Sequence, residues 1–433
     1  MPLPATLPLD RLGEPFYTGS VQRLYPIPGD DGHMATETTS RGSVFDVGSI
    51  FEIPGSDVAR AVFRHVLYSR MADPGLWRAV RETIRQAPDL EESYRQILMG
   101  QTLDRLCTEG AATHHAGMID AVSGEIVCSG VPAQPSAVNV VRRYQILKPR
   151  PVRVLGRRCY DYSGMAGADH YVIPLEFIVR FGITGASSVL KKYQSLPESA
   201  RRSYAQELGV DGELIPWRML ARPINDCTTK HEPEDRAVSL QEALAISGLV
   251  GETFASTLEL AALGAWAVRH LVEPVGLKLW DLKWEFAREG DRIVFVDTID
   301  TDSMRATLSL SWEEQPVAIH CNKQSMRDFY RIVHPEWLAA VNQAKEEARE
   351  AGRNFTEILG EGQKSGRWPV TPVVNGEFLA LQSRKLEIIR DCLLGKLEAG
   401  EAREALAQTG QAELRYFDSL RKIEDFLRIN GIT

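Results

Sequence analysis

Residues 281–300 read DLKWEFAREGDRIVFVDTID, two runs of alternating side-chain character joined by a charged turn. Successive side chains of a β-strand point to opposite faces, so this period-two pattern dictates a hairpin with two unlike surfaces. Leu282, Trp284, Phe286, Val294 and Val296 are expected to face the core, with Asp281, Lys283, Glu285 and Asp297 on the other side. A three-residue loop of Gly290, Asp291 and Arg292 sets Glu285 directly opposite Asp297. Two carboxylates that close repel unless a cation lies between them, and carboxylate oxygens suit Mg²⁺ carrying bound phosphates. The alternative is an exposed hairpin whose acids pair with Lys283 or Arg288.

The 433 residues, 44% hydrophobic and 25% charged, have the balance of a globular chain of two or three domains. A net charge of −8 disfavours nucleic acid or an anionic membrane as partner, since neither polyanion is attracted over long range. The opening MPLPATLPLDRLGEP lacks the basic and apolar regions of a signal peptide. The most apolar stretch, ALAISGLVGETFASTLELAALGAWAVRHLV, is interrupted by Glu252, Glu259 and Arg269 and reads as a buried core helix. Six cysteines without a CxxC pair fit reduced thiols, and the expected location is cytoplasmic. His114 and His115 read as locally hydrogen-bonded side chains.

The organisation is α+β. Residues 1–172 are expected to form a β-rich N-terminal domain, with a helix over DVARAVFRHVLYSRM carrying Val58, Val62, Val66 and Leu67 on one period. Residues 173–335 read as an α+β domain holding the hairpin. Ser239 and Glu242 form a capping-box signature at the start of its long helix, which ends before Pro274 and Gly276. Residues 336–433 read as a helical extension, where Tyr416, Leu420, Ile423 and Leu427 make an apolar stripe suited to covering the core or to a homo-oligomer interface.

Several separated segments together resemble the SAICAR synthetase family, phosphoribosylaminoimidazole-succinocarboxamide synthases, over roughly residues 16–335. They are, in order, GSVQRLY, RGSVFD, IPLEFIVRFGITGA, RPINDCTTKHE, GLKLWDLKWEFA, VDTIDTDSMR and NKQSMRDFY. The resemblance implies ATP in a cleft between a β-rich N-terminal domain and an α+β domain, and a carboxylate joined to an amino-acid-like amine through an acyl phosphate. It places Glu285 and Asp297 on the family's magnesium and nucleotide-phosphate ligands. Gly19, Ser20, Gln22, Arg23, Glu176 and Lys230 fall in segments that hold the nucleotide. Lys283, Asp302 and Arg305 fall on catalytic positions lining the carboxylate substrate, and Arg41, Ser43, Asp46, Arg180, Ser187 and Arg305 on its binding positions.

The chain also departs from the family pattern. Ser20 stands where the first strand carries a phosphate-contacting lysine, Gln22 replaces a second basic residue, and Arg23 is displaced by one position and so turned to the other face. Arg41 or a bound cation is the expected compensation. Thr298 replaces a glutamate after the second metal aspartate, Ala186 a serine, and Glu234 and Asp235 an HD pair. These differences favour a specialised substrate, such as a purine-like or other natural-product intermediate. A non-catalytic nucleotide- or ligand-binding homologue and a small-molecule kinase are the other readings.

Overall fold

The structure, a computed structural model, describes residues 3–432. It is built on two large antiparallel sheets, in keeping with the α+β class expected from the sequence. The first has the spatial order Tyr17–Thr18, Gln22–Ile27, Asp30–Thr38, Pro135–Arg142, His115–Asp120, Ile126–Val127. Period-two alternation gives it two faces: Tyr25, Ile27, Ala35, Ile119 and Val140 close a small core with Leu7 and Leu12. Helix Ser56–Met71 packs on the other, where Ala61, Val62 and Val66 meet Met118.

The second sheet is centred on Lys278–Glu289, flanked by Leu175–Ile183 and Arg218–Thr229 on one side and by Met304–Trp312 and Gln315–His320 on the other. Helix Gly251–Val272 is buried against it. Gly264 lets that helix approach closely, since a Cβ there would lie 2.8 Å from Phe295 and 3.0 Å from Trp284. Ser239 caps the preceding helix Leu240–Ser247 by accepting from the Glu242 amide at 3.2 Å, and Gly248, at φ 72°, separates the two helices.

The hairpin turn holds two residues, not three. Glu289 pairs with Arg292 and Glu285 with Val296. Gly290 at φ 59° supplies the left-handed first position that matches the twist of two-residue hairpins. The one-residue change in register exchanges the faces of the second strand. Ile293 and Phe295 enter the core beside Trp284 and Phe286, whereas Val294 and Val296 join Val172 and Ala287 on the Glu285 side.

The C-terminal region covers the core of its own chain. Phe378 on helix Gly376–Leu393 stacks on Phe329 at 4.7 Å and also meets Tyr416 and Phe417. Ser383 donates to the Pro54 carbonyl at 2.6 Å, tying this helix to the start of Ser56–Met71. The single stripe expected at 416–427 is divided: helix Ala399–Ser419 ends, Arg421 takes φ 57°, and helix Ile423–Asn430 starts in a new direction with Leu420 left 39% exposed. The glycine- and proline-rich stretch after helix Phe355–Lys364 is docked through buried Trp368 and Val374.

Asp328 links this region to the second sheet's helix Gln324–Val333. It is 1% exposed and accepts from Gln324, Arg331 and Asn430. Burial pushes its carboxyl up to about 6, so the folded state holds a proton that the unfolded chain releases near pH ~4. The stability this contributes is complete below the ordinary carboxylate range and is lost as pH rises through about 6. Asp328→Asn is expected to flatten the pH dependence of Tm across that window, measured by thermal melts of both proteins.

Candidate active site

Glu285 extends from the central strand and is 5% exposed. Asp297 follows the end of Arg292–Val296, and its own φ of 63° takes the chain out of the strand. That left-handed step returns its side chain toward Glu285, which regular strand alternation in the observed register would not do. The two carboxyls hydrogen-bond to each other. Burial and the neighbouring Asp297 raise Glu285 above the ordinary carboxylate range. Burial acts in the same sense on Asp297, but Lys230, the hydrogen bond from Glu285 and Lys283 hold it below its usual value. The pair is thus driven in opposite directions, Glu285 toward its protonated form and Asp297 toward its charged form.

Two lysines bracket the pair. Lys230 contacts Glu285 and lies 3.9 Å from Glu176, while Lys283 contacts Glu176 and lies 3.9 Å from Glu285. Burial opposes the charge on Lys230, yet Glu285 and Asp297 more than offset it and its pKa is raised. Among the described residues no three metal-binding side chains gather, so no all-protein metal cage is present. Two acidic oxygen donors that repel one another fit Mg²⁺ that draws its remaining ligands from phosphate and water.

On one side of the pair lies a cleft of about 340 Å³ between the first sheet and the hairpin. Leu24, Met34, Val141 and Tyr144 give it apolar walls suited to a planar base. Gln22 Nε2 and Asn139 Oδ1, both buried and without a hydrogen-bond partner, supply a donor and an acceptor to the same cleft. Arg64, Arg142, Arg143 and Lys230 bring positive charge. Burial lowers His114 to about 3 and, with His65, lowers His115, so both histidines beside the cleft are neutral.

On the other side is a cavity of about 210 Å³ crowded with cations: Arg180, Lys283, Arg305, Lys323 and Arg327, against Asp281 and Asp302. Burial lowers Lys323, and burial with Arg305 lowers Arg327. Lys191 is lowered by burial and by Arg331 and Arg305. Excess desolvated positive charge of this kind favours an anionic ligand with more than one negative charge. A further cavity of about 660 Å³ lies elsewhere, between Trp266, Leu308 and Arg403, and contains neither member of the acidic pair.

Helix Ser56–Met71 fixes the loop that carries Asp297 and Asp302. Arg60 and Arg64, one turn apart and 4% and 3% exposed, donate to Asp300 at 3.1 and 3.0 Å. Arg60 also lies 3.3 Å from Asp302. Tyr68, a further turn along, donates to the carbonyls of Val296 and Asp297 at 3.1 and 3.0 Å. Burial opposes the charge on Asp300, but the two arginines hold it well below the usual range. The sequence carries a signal for this contact: Arg60, Arg64 and Tyr68 recur at the helical period alongside the valines.

Of the residues anticipated from sequence, the structure gathers Glu176, Lys230, Lys283, Glu285 and Asp297 at the junction, with Gln22 in the cleft and Asp302 and Arg305 in the cationic cavity. Arg180 and Arg305 meet internal carboxylates within that cavity, and the remaining residues lie outside both cavities. Arg180 is held by Asp226 at 3.0 Å and Asp281 at 3.3 Å, so internal carboxylates already balance its charge. Arg305 shares Asp281 at 2.6 Å. Arg23 turns from the cleft to Glu37 at 3.3 Å. Gly19 forms a tight turn by donating to the Gln22 carbonyl, and neither it nor Ser20 lines the cleft. Arg41 pairs with Glu52 at 3.6 Å and Asp46 with Lys345 at 2.7 Å, outside both cavities; Ser43 shares the small hairpin of Arg41. The cations lining the cleft are Arg142, Arg143, Arg64 and Lys230, not Arg41; Arg142 is met by Glu289 at 3.2 Å, Arg64 by Asp300 and Lys230 by Glu285. Ser187 is fully buried with its hydroxyl unpartnered, before helix Ser188–Ser195.

A family model described as SAICAR synthetase matches residues 139–344. The chain is similar to a putative phosphoribosylaminoimidazole-succinocarboxamide synthase of Archaeoglobus fulgidus, 28% identical over 60% of this chain and 72% of that protein. It is 30% identical to phosphoribosylaminoimidazole-succinocarboxamide synthases of Thermoplasma volcanium and Thermoplasma acidophilum, covering 39% and 43% of this chain but only 55% and 61% of theirs. Among solved structures, a SAICAR synthase of Saccharomyces cerevisiae complexed with SAICAR aligns with 17% identity and a TM-score of 0.45, over 90% of this chain and 98% of that one. A SAICAR synthetase in complex with ADP aligns with 16% identity and a TM-score of 0.37, over 72% and 89%.

Removing Arg64 leaves buried Asp300 with Arg60 alone. Arg64→Met is expected to destabilise the protein by roughly 3–5 kcal/mol, the usual cost of stranding one member of a buried ion pair. The urea unfolding midpoint measures it, and Arg64→Met with Asp300→Leu should recover part of the loss.

Proposed function

We propose that the chain is a divergent member of the SAICAR synthetase family, whose model matches residues 139–344, and that it is an ATP-dependent ligase that forms a carbon–nitrogen bond through an acyl phosphate. The observation that carries this reading is the buried carboxyl pair Glu285–Asp297 set between a cleft with base-like dimensions and a cavity rich in cations. Lys230 and Lys283 offset part of the pair's charge, and a divalent cation with phosphates would complete the compensation. Magnesium bound with the nucleotide would supply charge neutralisation for the phosphates.

The protein's own groups divide the remaining work. Gln22 and Asn139 orient the base, and Arg142, Arg143 and Lys230 attract the phosphates. Arg305, Lys323 and Arg327 hold the anionic groups of the acid substrate. Lys283, at the junction, steers its carboxylate toward the terminal phosphorus. The carboxylate oxygen attacks that phosphorus and ADP leaves; an amine then attacks the acyl carbon, loses a proton and expels phosphate. Asp302, fixed by Arg60 at 3.3 Å, is placed to receive the ammonium of the amine. The cavity's charge suits a phosphorylated imidazole-type or related carboxylate, with aspartate or a similar amino acid as amine.

The test is incubation with ATP, Mg²⁺ and a panel of such carboxylates and amines, scored for ADP, phosphate and amide. A stable phosphorylated acid without amine dependence would instead indicate a kinase, and magnesium-independent ligand binding without turnover a non-catalytic homologue. Glu285→Gln and Asp297→Asn are each expected to lower ADP formation by roughly a hundredfold or more and to weaken magnesium-dependent nucleotide binding in calorimetry, with far-UV circular dichroism unchanged.

A further inference from the structure

The second large sheet splits at one end. Leu175–Ile183 pairs with the central strand Lys278–Glu289 only from Phe177 opposite Trp284 to Arg180 opposite Asp281. Past Arg180 it continues against Arg218–Thr229, while the start of the central strand pairs with Met304–Trp312. The two strands part there, and the cavity of about 660 Å³ opens between Phe181 on one and Lys278 and Leu279 on the other. It shares no lining residue with the cleft or with the cationic cavity beside the acidic pair. Arg403 and Ala407 line it from helix Ala399–Ser419, beyond the residues that the family model matches.

Phe181, Trp266, Leu279 and Leu308, each 3% exposed or less, give the cavity an apolar floor. The Trp266 indole N–H is buried without an acceptor among the described residues. Three cations, Arg269, Lys278 and Arg403, line the cavity against two acids, Asp89 and Glu273. Arg269 is already paired with Glu273 at 2.5 Å and lies over the Trp266 ring at 4.6 Å. Arg403 donates to the Pro274 carbonyl at 3.1 Å, and its stem crosses Gly276, where a Cβ would come within 2.9 Å of it. Lys278 has no such partner. It is half-buried, lies over the Trp280 ring at 4.4 Å, and meets no carboxylate within ion-pair distance among the described residues. Burial and Arg269 lower its pKa, and no acid offsets them. Asp89 is exposed.

A partly desolvated ammonium without a counter-charge is stabilised by an anion brought from outside. Three cations against two acids leave one positive charge on the lining, which suits a monoanion and not a polyphosphate. The apolar floor calls for a hydrocarbon or aromatic body attached to that anion, and about 660 Å³ is the size of an ordinary small-molecule site. We propose that this cavity is a second ligand site, taking a small amphipathic carboxylate whose apolar body lies on Phe181, Trp266 and Leu308 and whose charged end pairs with Lys278. Such a ligand bridges the two parted strands immediately beyond Arg180 and Asp281, both of which line the cationic cavity.

Calorimetric titration of the full chain with phenylbutyrate tests this, with phenylbutanol as the uncharged analogue and acetate as the anion without a body. The expected dissociation constant for phenylbutyrate is about 1 mM or tighter, with either comparator weaker by about tenfold or more. Lys278→Met keeps the apolar stem and should weaken phenylbutyrate by about tenfold. Ser309→Trp, at an exposed lining position, should fill the cavity and abolish binding. Neither position is buried, so the Tm of both variants should match the wild type. Arg143→Met in the cleft and Lys323→Met in the cationic cavity should bind phenylbutyrate as the wild type does, which separates this site from the proposed active site without recourse to turnover. No saturable binding by the wild type, equal binding of phenylbutanol, or undiminished binding by Lys278→Met would overturn the proposal. So would loss of binding through Arg143→Met or Lys323→Met, which would assign the ligand to those cavities.

Discussion

Two carboxylates buried against one another are the constraint around which the functional half of this protein is arranged. Glu285 and Asp297 cannot both ionise at low cost in so little water, and the surrounding groups manage that difficulty. Lys283 approaches from the central strand and Lys230 from the bend after Arg218–Thr229, and Glu176 joins the two lysines.

Holding the pair requires a rigid loop after the hairpin, and that rigidity is provided by a helix from the other sheet. Arg60, Arg64 and Tyr68 grip Asp300, Asp302 and the backbone at Val296 and Asp297. The junction of the two sheets thus both walls the cleft and forms a structural contact. The C-terminal helices support it from behind. Helix Gly376–Leu393 runs against Ser56–Met71, and buried Lys385 joins Glu413 and the His320 carbonyl.

The cleft takes its cations from outside the first strand. Ser20 and the averted Arg23 leave the first strand without a cation in the cleft. Arg142 and Arg143, at the end of the fourth strand of that sheet, and Lys230, from the second, stand there instead. Arg180 shows the converse. Its apolar neighbours make it look like a substrate ligand in the sequence, yet Asp226 and Asp281 balance its charge internally.

The amino-acid order alone determined the hairpin, the helix start at Ser239, the acidic content of 281–302 and the turning of Arg23 to the far face, because alternation and capping are local rules acting over a few residues. It did not determine the register, since a single residue in the turn exchanges Val294 and Val296 for Ile293 and Phe295. Only the folded chain decided which distant groups meet. Arg64 reaches Asp300 across 236 positions and Lys230 reaches Glu285 across 55. Such pairings depend on how two sheets and a helix pack, and on one left-handed residue at Asp297, for which local propensity carries no instruction.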